Sequence, residues 1–244
     1  MRNICKLFCF ILFIIFIAVC SNAYELENTG INIEPIDHAS MVINTDNAVV
    51  YVDPVGKIEY YTTLAKPDII LITHSHYDHL APELIKEIID TDTIVIGPKE
   101  VIETLGYGDF LNNGDVGIYK GVEIEAVPAY NTSPDKLKFH EKGKGNGYVL
   151  KLNNKRIYIS GDTEDIPEMR SLKNIYCAFV CMNLPYTMNV DQAASAVLEF
   201  KPAIIIPYHY KAQEMITDLD EFNNLVSADP NIKVVLLDWY AKVK

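Results

Sequence analysis

The sequence predicts a layered α/β domain, built as a sandwich of sheets with helices on the outside. Short apolar runs of strand length alternate with stretches of helical periodicity, which is typical of layered α/β proteins. The pattern occurs twice, because strands followed by helices in the first half give way to strands followed by helices in the second. With 244 residues, 49% of them apolar, the chain is long enough to bury such a core.

The first half begins with a meander of strands. Alternating segments at residues 31–36 and 40–52 are interrupted by the turn-forming tetrad 44–47. Apolar runs then alternate with helical patterns, so that the sequence predicts a strand at 69–73, a helix at 82–89, a strand at 93–96 and a helix at 100–105.

The second half returns to hairpin-like strands. Segments 117–126 and 147–160 fit this pattern, and the turn Asn153-Asn154 divides the latter into two strands. Buried strands are predicted at 175–182, 203–207 and 234–237, with helices at 192–200 and 219–226.

Residues 1–23 have the composition of a secretory signal peptide. Arg2 and Lys6 precede or flank an apolar stretch from 7 to 20, and Ser21 and Ala23 are small. Fourteen apolar residues are short for a bilayer span, although a permanent membrane anchor is the alternative. We therefore expect an exported protein with its domain at 24–244. Cys20 resembles the acylated cysteine of bacterial lipoproteins, so cleavage after Ala23 and a lipid anchor at Cys20 both stay open.

The charge of the chain narrows the class of partner, and its cysteine content bears on disulfides. The chain has 21 basic and 33 acidic residues, a net charge of −12, which argues against binding a nucleic acid. The expected partner is a small-molecule substrate. Beyond the signal only Cys177 and Cys181 remain, and on one strand their Cα atoms would be about 13 Å apart, too far for a disulfide.

Four candidate metal ligands follow the predicted strand 69–73 within six residues: His74, His76, Asp78 and His79. On an extended segment His74 and His76 point the same way, and the following turn brings Asp78 and His79 to a neighbouring point. Two adjacent sites for a metal such as zinc fit this spacing better than one, and imidazole with carboxylate suits catalysis. The alternative is a polar turn whose histidines happen to be close.

Two later strands also end in potential ligands. Asp162 follows the apolar run 157–160, and His209 follows 204–208. Because strand ends of one sheet converge on the same rim, we expect these side chains near the histidine cluster. Taken alone, Asp162 fits capping a helix near Pro167 better than binding a metal.

The order of these motifs resembles that of the metallo-β-lactamase-fold hydrolases. His-x-His-x-Asp-His is followed by a lone His, then Gly-Asp-Thr, then a late His. Stretches 127–131, 145–148, 185–188 and 207–210 resemble the branch that contains L-ascorbate-6-phosphate lactonase, and N-acyl phosphatidylethanolamine phospholipase D is a more distant relative. The resemblance runs from about residue 33 to 237. It implies an αββα sandwich of two mixed sheets with helices outside and a two-metal site at one edge.

The resemblance also implies a set of seven metal ligands. The first metal would be held by His74, His76 and His140, the second by Asp78, His79 and His209, and Asp162 would bridge them. His140 lies in a charged segment, 136–144, where an exposed histidine is the alternative. A glutamate at position 76 would be typical of the di-iron redox members, so His76 favours hydrolysis.

These ligands imply two divalent ions, zinc or alternatively manganese, that share a hydroxide nucleophile. Asp78 and Asp162 would orient that hydroxide. His38, Tyr130, Tyr186 and Tyr208 flank the ligand segments and are candidates for protonating the leaving group or stabilising an oxyanion, although each could be purely structural. Asn131 and Asn146 could bind substrate or shape turns.

The sequence therefore predicts an exported dinuclear hydrolase, first for a lactone or other cyclic or activated ester. A phosphodiester and a β-lactam are the next substrates in that order. A noncatalytic metal-binding surface protein and a di-iron redox protein are alternatives of other classes.

Overall fold

The computed structural model describes residues 23–212 and 215–243 of the chain. The predicted signal peptide, with Cys20, lies outside the described residues except for Ala23. Within the described ranges, no helix has the length and apolar character needed to cross a bilayer.

The first half forms a seven-stranded mixed sheet in which spatial order follows chain order. Its strands are β1 (Tyr24–Leu26), β2 (Ile31–Asp37), β3 (Ser40–Asn44), β4 (Val49–Val52), β5 (Ile69–Leu71), β6 (Ile94–Gly97) and β7 (Asp109–Phe110). The first four strands pair antiparallel, and β4 to β7 pair parallel. Helices α1 (Pro82–Ile88) and α2 (Lys99–Leu105) connect the parallel strands.

The second half repeats this plan. Its strands, in spatial order, are β8 (Val116–Tyr119), β9 (Val122–Ala129), β10 (Gly145–Leu152), β11 (Lys155–Ile159), β12 (Cys177–Cys181), β13 (Ile204–Tyr208) and β16 (Lys233–Val234). Strands β8 to β11 are antiparallel, and β11 to β16 are parallel. The remaining elements are α3 (Pro167–Arg170), α4 (Val190–Phe200), α5 (Leu219–Val226) and the ribbon of β14 (Lys211–Ala212) and β15 (Met215–Ile216).

The core lies mainly between the two sheets. Along β5, the fully buried Ile69 and Leu71 belong to the cluster shared with the second sheet, whereas Ile70 packs with residues of α1 such as Ile85. Strands apolar on both faces are expected where helices cover the outer face. The layers therefore run helix, sheet, sheet, helix, which confirms the predicted αββα sandwich.

Local sequence explains the sharpest predicted boundaries. Asn153 and Asn154 adopt positive φ angles of 46° and 60°, the pattern of a type I′ turn, and join β10 to β11 as predicted. Helix α4 starts with a capping box, in which the Asn189 side chain accepts from the Gln192 amide.

Cys177 and Cys181 both lie on β12 as buried free thiols.

The last strand differs from its prediction. β16 ends at Val234, and only the amide of Val235 continues the pairing, with the carbonyl of Ile205. The chain then leaves the sheet edge and buries Trp239, whose Nε1 donates to the carbonyl of Pro207 at 2.9 Å.

Candidate metal centre

The carboxyl ends of five strands open on one edge of the sandwich and supply most of a polar cluster. In the first sheet, Asp53 follows β4 and the segment 74–79 follows β5. In the second sheet, Asp162, Asn183 and His209 follow β11, β12 and β13. Neighbouring parallel strands end on the same side, so the topology alone brings these residues to one rim.

The structure brings all seven predicted ligands together. Their donor atoms form three overlapping groups, each with atoms within 4.8 Å of one another. The groups are His74, His76 and His140; His74, His79 and Asp162; and Asp78, His79 and His209. The first and third groups match the two ligand sets implied by the family resemblance, and Asp162 lies between them.

Short contacts between donor atoms show how closely the first group converges. Nε2 of His74 lies 2.9 Å from Nδ1 of His76. Nε2 of His140 lies 3.2 Å from Oδ2 of Asp162. These atoms face one another, so their lone pairs point into a common space.

The third group converges in the same way. Nε2 of His79 lies 3.2 Å from Nε2 of His209, and the latter atom lies 3.6 Å from Oδ2 of Asp78. Oδ1 of Asp162 lies 3.5 Å from Nε2 of His79, and its Oδ2 lies 3.6 Å from Nε2 of His209. Asp162 thus reaches both groups with its two oxygens.

Three buried atoms of the cluster residues have no hydrogen-bond partner among the described residues. They are Nε2 of His140, Oδ1 of Asp162 and Nδ1 of His209. Buried polar atoms are normally paired, and the first two belong to the groups of donor atoms that face one another. Imidazole nitrogens and carboxylate oxygens are also the donors that zinc and similar ions prefer. The cluster therefore fits divalent metal ions.

Burial and neighbouring charge set the protonation of the cluster. Burial, helped by His79, holds the pKa of His74 well below its usual value, so this imidazole is neutral and its lone pair is available. Burial alone would raise the pKa of Asp162, but His209 and His79 outweigh it and hold that pKa well below its usual value. Asp162 is therefore a carboxylate.

Side chains behind the cluster fix the orientation of its histidines. Oδ2 of Asp53 lies 2.7 Å from Nδ1 of His79 and accepts from the hydroxyl of Thr73, while Oδ1 accepts from the Thr73 amide. Nδ2 of Asn131 lies 3.2 Å from Nδ1 of His140. The Asp53 contact leaves Nε2 of His79 facing the cluster, the arrangement that supports metal ligands in proteins.

Unusual backbone conformations mark the same rim. Asp53, His38 and His209 adopt φ angles of 43°, 47° and 47°, and Gly161 beside Asp162 adopts 61°. Residues other than glycine rarely adopt positive φ, and such residues concentrate at functional sites. All six histidines of the chain lie here, since His38 lines the cleft above the five in the cluster.

The structure decides two questions that the sequence left open, the role of Asp162 as a helix cap and the exposure of His140. Asp162 does not cap a helix, because α3 starts at Pro167 with Ile166 at its N-cap. His140 is buried, not exposed, and its carbonyl accepts from the Asn131 amide. Its loop is held by the buried Glu164, which accepts from the amides of Thr132 and Ser133.

The other candidate residues divide into two sets. His38 and Tyr186 line the cleft over the cluster. Tyr130 instead points its hydroxyl at Glu168, and Tyr208 is fully buried beside Trp239. Nδ2 of Asn146 donates a hydrogen bond to the carbonyl of Leu111, so this side chain holds the backbone behind the site.

Sequence reasoning missed two polar residues of this rim. Asp53 orients His79, and the buried Asn183 places Nδ2 at 3.0 Å from Nε2 of His209. Each follows a buried strand, as the predicted ligands do, but a single polar residue after a strand is also an ordinary turn sequence.

Comparisons with known proteins agree with this geometry. The family model of the β-lactamase superfamily domain matches residues 32–209. The chain is 33% identical over 184 residues to a UPF0173 metal-dependent hydrolase of Pyrococcus abyssi, covering 70% of this chain and 78% of that protein.

Two solved structures are also similar. A candidate metal-dependent hydrolase from Parabacteroides distasonis superposes with a TM-score of 0.78 and 44% identity over 85% of this chain and 92% of that one. Igni18, a metallo hydrolase from Ignicoccus hospitalis, superposes with a TM-score of 0.72 at 23% identity, over 85% of this chain and 95% of that one, which supports the fold alone. With its His and Asp cluster able to bind metal, the chain belongs to the UPF0173 metal-dependent hydrolases of the metallo-β-lactamase superfamily.

Proposed function

We propose that this hydrolase is exported, binds two metal ions and acts on a lactone or another cyclic or activated ester. The observation that carries the proposal is the pair of ligand groups that meet at Asp162. One group alone would suit a single structural ion, whereas two groups joined by a carboxylate that reaches both suit a dinuclear catalytic site.

The residues that would hold the metals are the seven of the cluster. One ion would be held by His74, His76 and His140, the other by Asp78, His79 and His209, with Asp162 between them. Zinc is the first candidate for these ligands. Manganese is the alternative, because imidazole and carboxylate bind both metals.

When bound, the two ions supply a water whose pKa is lowered toward about 7 and a Lewis acid that polarises the carbonyl oxygen. The carboxylates of Asp78 and Asp162 would then accept hydrogen bonds from the attacking water and hold it in line with the carbonyl carbon. They also balance positive charge inside the cleft. Asp53 keeps Nε2 of His79 directed at the site.

His38 and Tyr186 are placed to act on the ester carbonyl. Both line the cleft, and the His38 side chain is 38% exposed. We propose that one of them donates a hydrogen bond to the carbonyl oxygen as that oxygen gains negative charge. The ring of His38 packs edge-on to that of His209, with centroids 5.7 Å apart, which fixes its position relative to the cluster.

The cleft suits a small substrate. The cavity over His209 has a volume of about 280 Å³, which is near the lower end for small-molecule sites. The net charge of −12 disfavours nucleic acid. A phosphodiester and a β-lactam are the next candidates after an ester.

Metal analysis of the purified protein and two variants tests the site. His76→Ala and Asp162→Ala each remove a ligand, and Asp92→Ala removes an exposed carboxylate elsewhere as the matched control. We expect close to two zinc or manganese ions per chain in the parent and in Asp92→Ala, with loss of metal in the other two. Substoichiometric metal unaffected by either ligand change would overturn the hydrolase assignment.

The metal-loaded protein should then be offered matched lactone, phosphodiester and β-lactam substrates. Metal-dependent turnover of the lactone alone supports the proposed order. Preferential turnover of either other class would replace it. Iron in place of zinc, with a charge-transfer absorption band, would favour redox chemistry instead.

Export is tested on the full chain expressed in a bacterial host. The mass of the N-terminal peptide separates cleavage after Ala23 from lipid attachment at Cys20, and Cys20→Ser would abolish only the latter. An uncleaved N-terminus on a cytoplasmic protein would contradict export.

A further inference from the structure

The cleft above the cluster has two lobes that share one floor. Both lobes are lined by His76, Phe139, His140 and Asp162. Their volumes are similar, about 240 and 280 Å³. Phe139 is the apolar member of the shared set and lies at the boundary between the two lobes.

The larger lobe, here called the aromatic lobe, has Tyr77, Phe139, Tyr186 and Ala212 in its wall, beside polar residues that include Asp78 and Lys211. The rings of Phe139 and Tyr186 meet edge to face, with centroids 5.0 Å apart and planes at 90°. Tyr77 is 90% exposed and lies between the candidate ligands His76 and Asp78. Aromatic side chains gathered at one mouth provide faces and edges for an apolar ligand group.

The other lobe, here called the charged lobe, is chemically different. Its own lining includes Ser75, Glu100, Lys138, Glu141 and Lys144. Oε1 of Glu100 accepts from the Ser75 hydroxyl at 2.8 Å, and Oε2 lies 3.4 Å from Nζ of Lys144. Apart from the shared Phe139, this lining has no Phe, Tyr or Trp among the described residues.

We propose that the substrate has two unlike halves, an aryl or short branched acyl group bound in the aromatic lobe and a polar leaving group bound in the charged lobe. This inference rests on the proposed function, because it places the scissile ester over the shared floor. In the reaction the bond from acyl carbon to leaving oxygen breaks. The hydroxyl of water joins the acyl carbon, and the remaining proton of water goes to the leaving oxygen.

The size of the aromatic lobe sets the size of the apolar half. An apolar cavity of about 150 Å³ accommodates benzene. A lobe of about 280 Å³ therefore holds a phenyl ring with the carbons that join it to the ester. A long acyl chain or a polymer would exceed it.

Phosphonates that differ only in their apolar group test the proposal without turnover. We would measure the affinity of benzylphosphonate and methylphosphonate for the zinc-loaded protein by calorimetry. Burying a phenyl group against apolar surface should favour benzylphosphonate by at least about tenfold. The same preference should appear in kcat/KM for phenylacetate over acetate esters of one alcohol.

Variants locate the preference in the aromatic lobe. Phe139→Ala removes the shared ring and should reduce the preference to about threefold or less. Leu137→Ala is the matched control, because Leu137 lies in the same loop, is 48% exposed and lines neither lobe. Metal content and thermal unfolding of both variants show whether either change disturbs the fold.

The outcomes separate this inference from the proposed function. A protein that holds its metal but binds the two phosphonates equally, or binds neither at millimolar concentration, overturns the two-part substrate and leaves the metal site standing. A preference that survives Phe139→Ala overturns the assignment to this lobe. A protein that takes up no metal overturns both proposals, since the second depends on the first.

Discussion

Oδ2 of Asp53 lies 2.7 Å from Nδ1 of His79, and both side chains are fully buried. A carboxylate at Nδ1 holds a proton on that nitrogen, so that Nε2 faces the cluster and would give its lone pair to a bound metal ion. Asp53 comes from the strand beside the one that leads into His79, so the first sheet itself holds this candidate ligand in place.

Replacing Asp53 by Asn should weaken metal binding. The amide keeps the size of the side chain but loses the charge that supports His79, and loss of such a partner typically costs 10- to 100-fold in metal affinity, roughly what we expect here. Chelator competition measures the effect. Asp68→Asn is the control, because Asp68 accepts from the Val49 amide at the opposite end of the same strand pair. Equal affinities in both variants would contradict the orienting role.

Gly161→Ala should damage both the fold and the site. A Cβ at Gly161 would lie 2.7 Å from the carbonyl oxygen of Asn146, and its φ of +61° already disfavours a side chain. Gly121 also has positive φ, +81°, but open space around it. We expect Gly121→Ala to cost about 1 kcal/mol of unfolding free energy and Gly161→Ala at least about 3 kcal/mol. Urea unfolding compares them, and metal affinity should fall only in Gly161→Ala because Asp162 is its neighbour.

Glu164 should make stability depend on acid pH. Burial alone would raise its pKa, but hydrogen bonds from Ser133 and Thr132 and the contact with Lys136 outweigh burial and lower it to about 2, from 4.5. The stabilisation is therefore fully present above pH 4.5 and is lost as the pH falls toward 2. The shift corresponds to about 3 kcal/mol.

Glu164→Gln should accordingly lower the unfolding free energy of the metal-free protein at pH 7 by an amount up to this size. The difference between parent and variant should shrink between pH 4.5 and pH 3. Urea unfolding at pH 7, 4 and 3 measures it. A difference independent of pH would show that the hydrogen bonds to Glu164 do not favour its charged form.

Substitutions of two tyrosines distinguish a residue that lines the cleft from a residue of the core. Tyr186→Phe removes a hydroxyl from a residue that lines the cleft and should lower kcat by about 100-fold if that hydroxyl stabilises the negative charge on the carbonyl oxygen. Tyr208→Phe changes a fully buried residue outside the cleft and should leave kcat within about twofold. Steady-state kinetics on metal-replete enzyme, with metal content checked in each variant, decides between them. An unchanged kcat in Tyr186→Phe would leave His38 as the candidate.

The spacing of residues in the sequence was sufficient to predict the site where the candidate ligands are close along the chain. His74, His76 and His79 lie within six residues after a buried strand, and the geometry of a strand and turn brings them together without knowledge of the fold. Asp162 and His209 needed one further step, the rule that parallel strands end on the same rim. Strands of two or three residues such as β1, β7, β14 and β15 were not predicted, because they are too short for a period to show.

His140 and Asp53 show why the remainder was beyond a single sequence. The charged surroundings of His140 suggest an exposed loop, and only the buried Glu164, more than twenty residues away, draws that loop against the site. Asp53 precedes a proline after a strand, which is an ordinary turn sequence. Its role depends on a contact with His79 across neighbouring strands.

The candidate ligands are divided between the sheets, four following β5 in the first and three belonging to the second. Neither half of the chain contains a complete site, so ions would be captured only after the halves have docked. Bound ions would then tie the halves together as a reversible cross-link, which Cys177 and Cys181, on one strand, do not provide. In the proposed exported protein, resistance to proteases would therefore follow the metal supply of its surroundings.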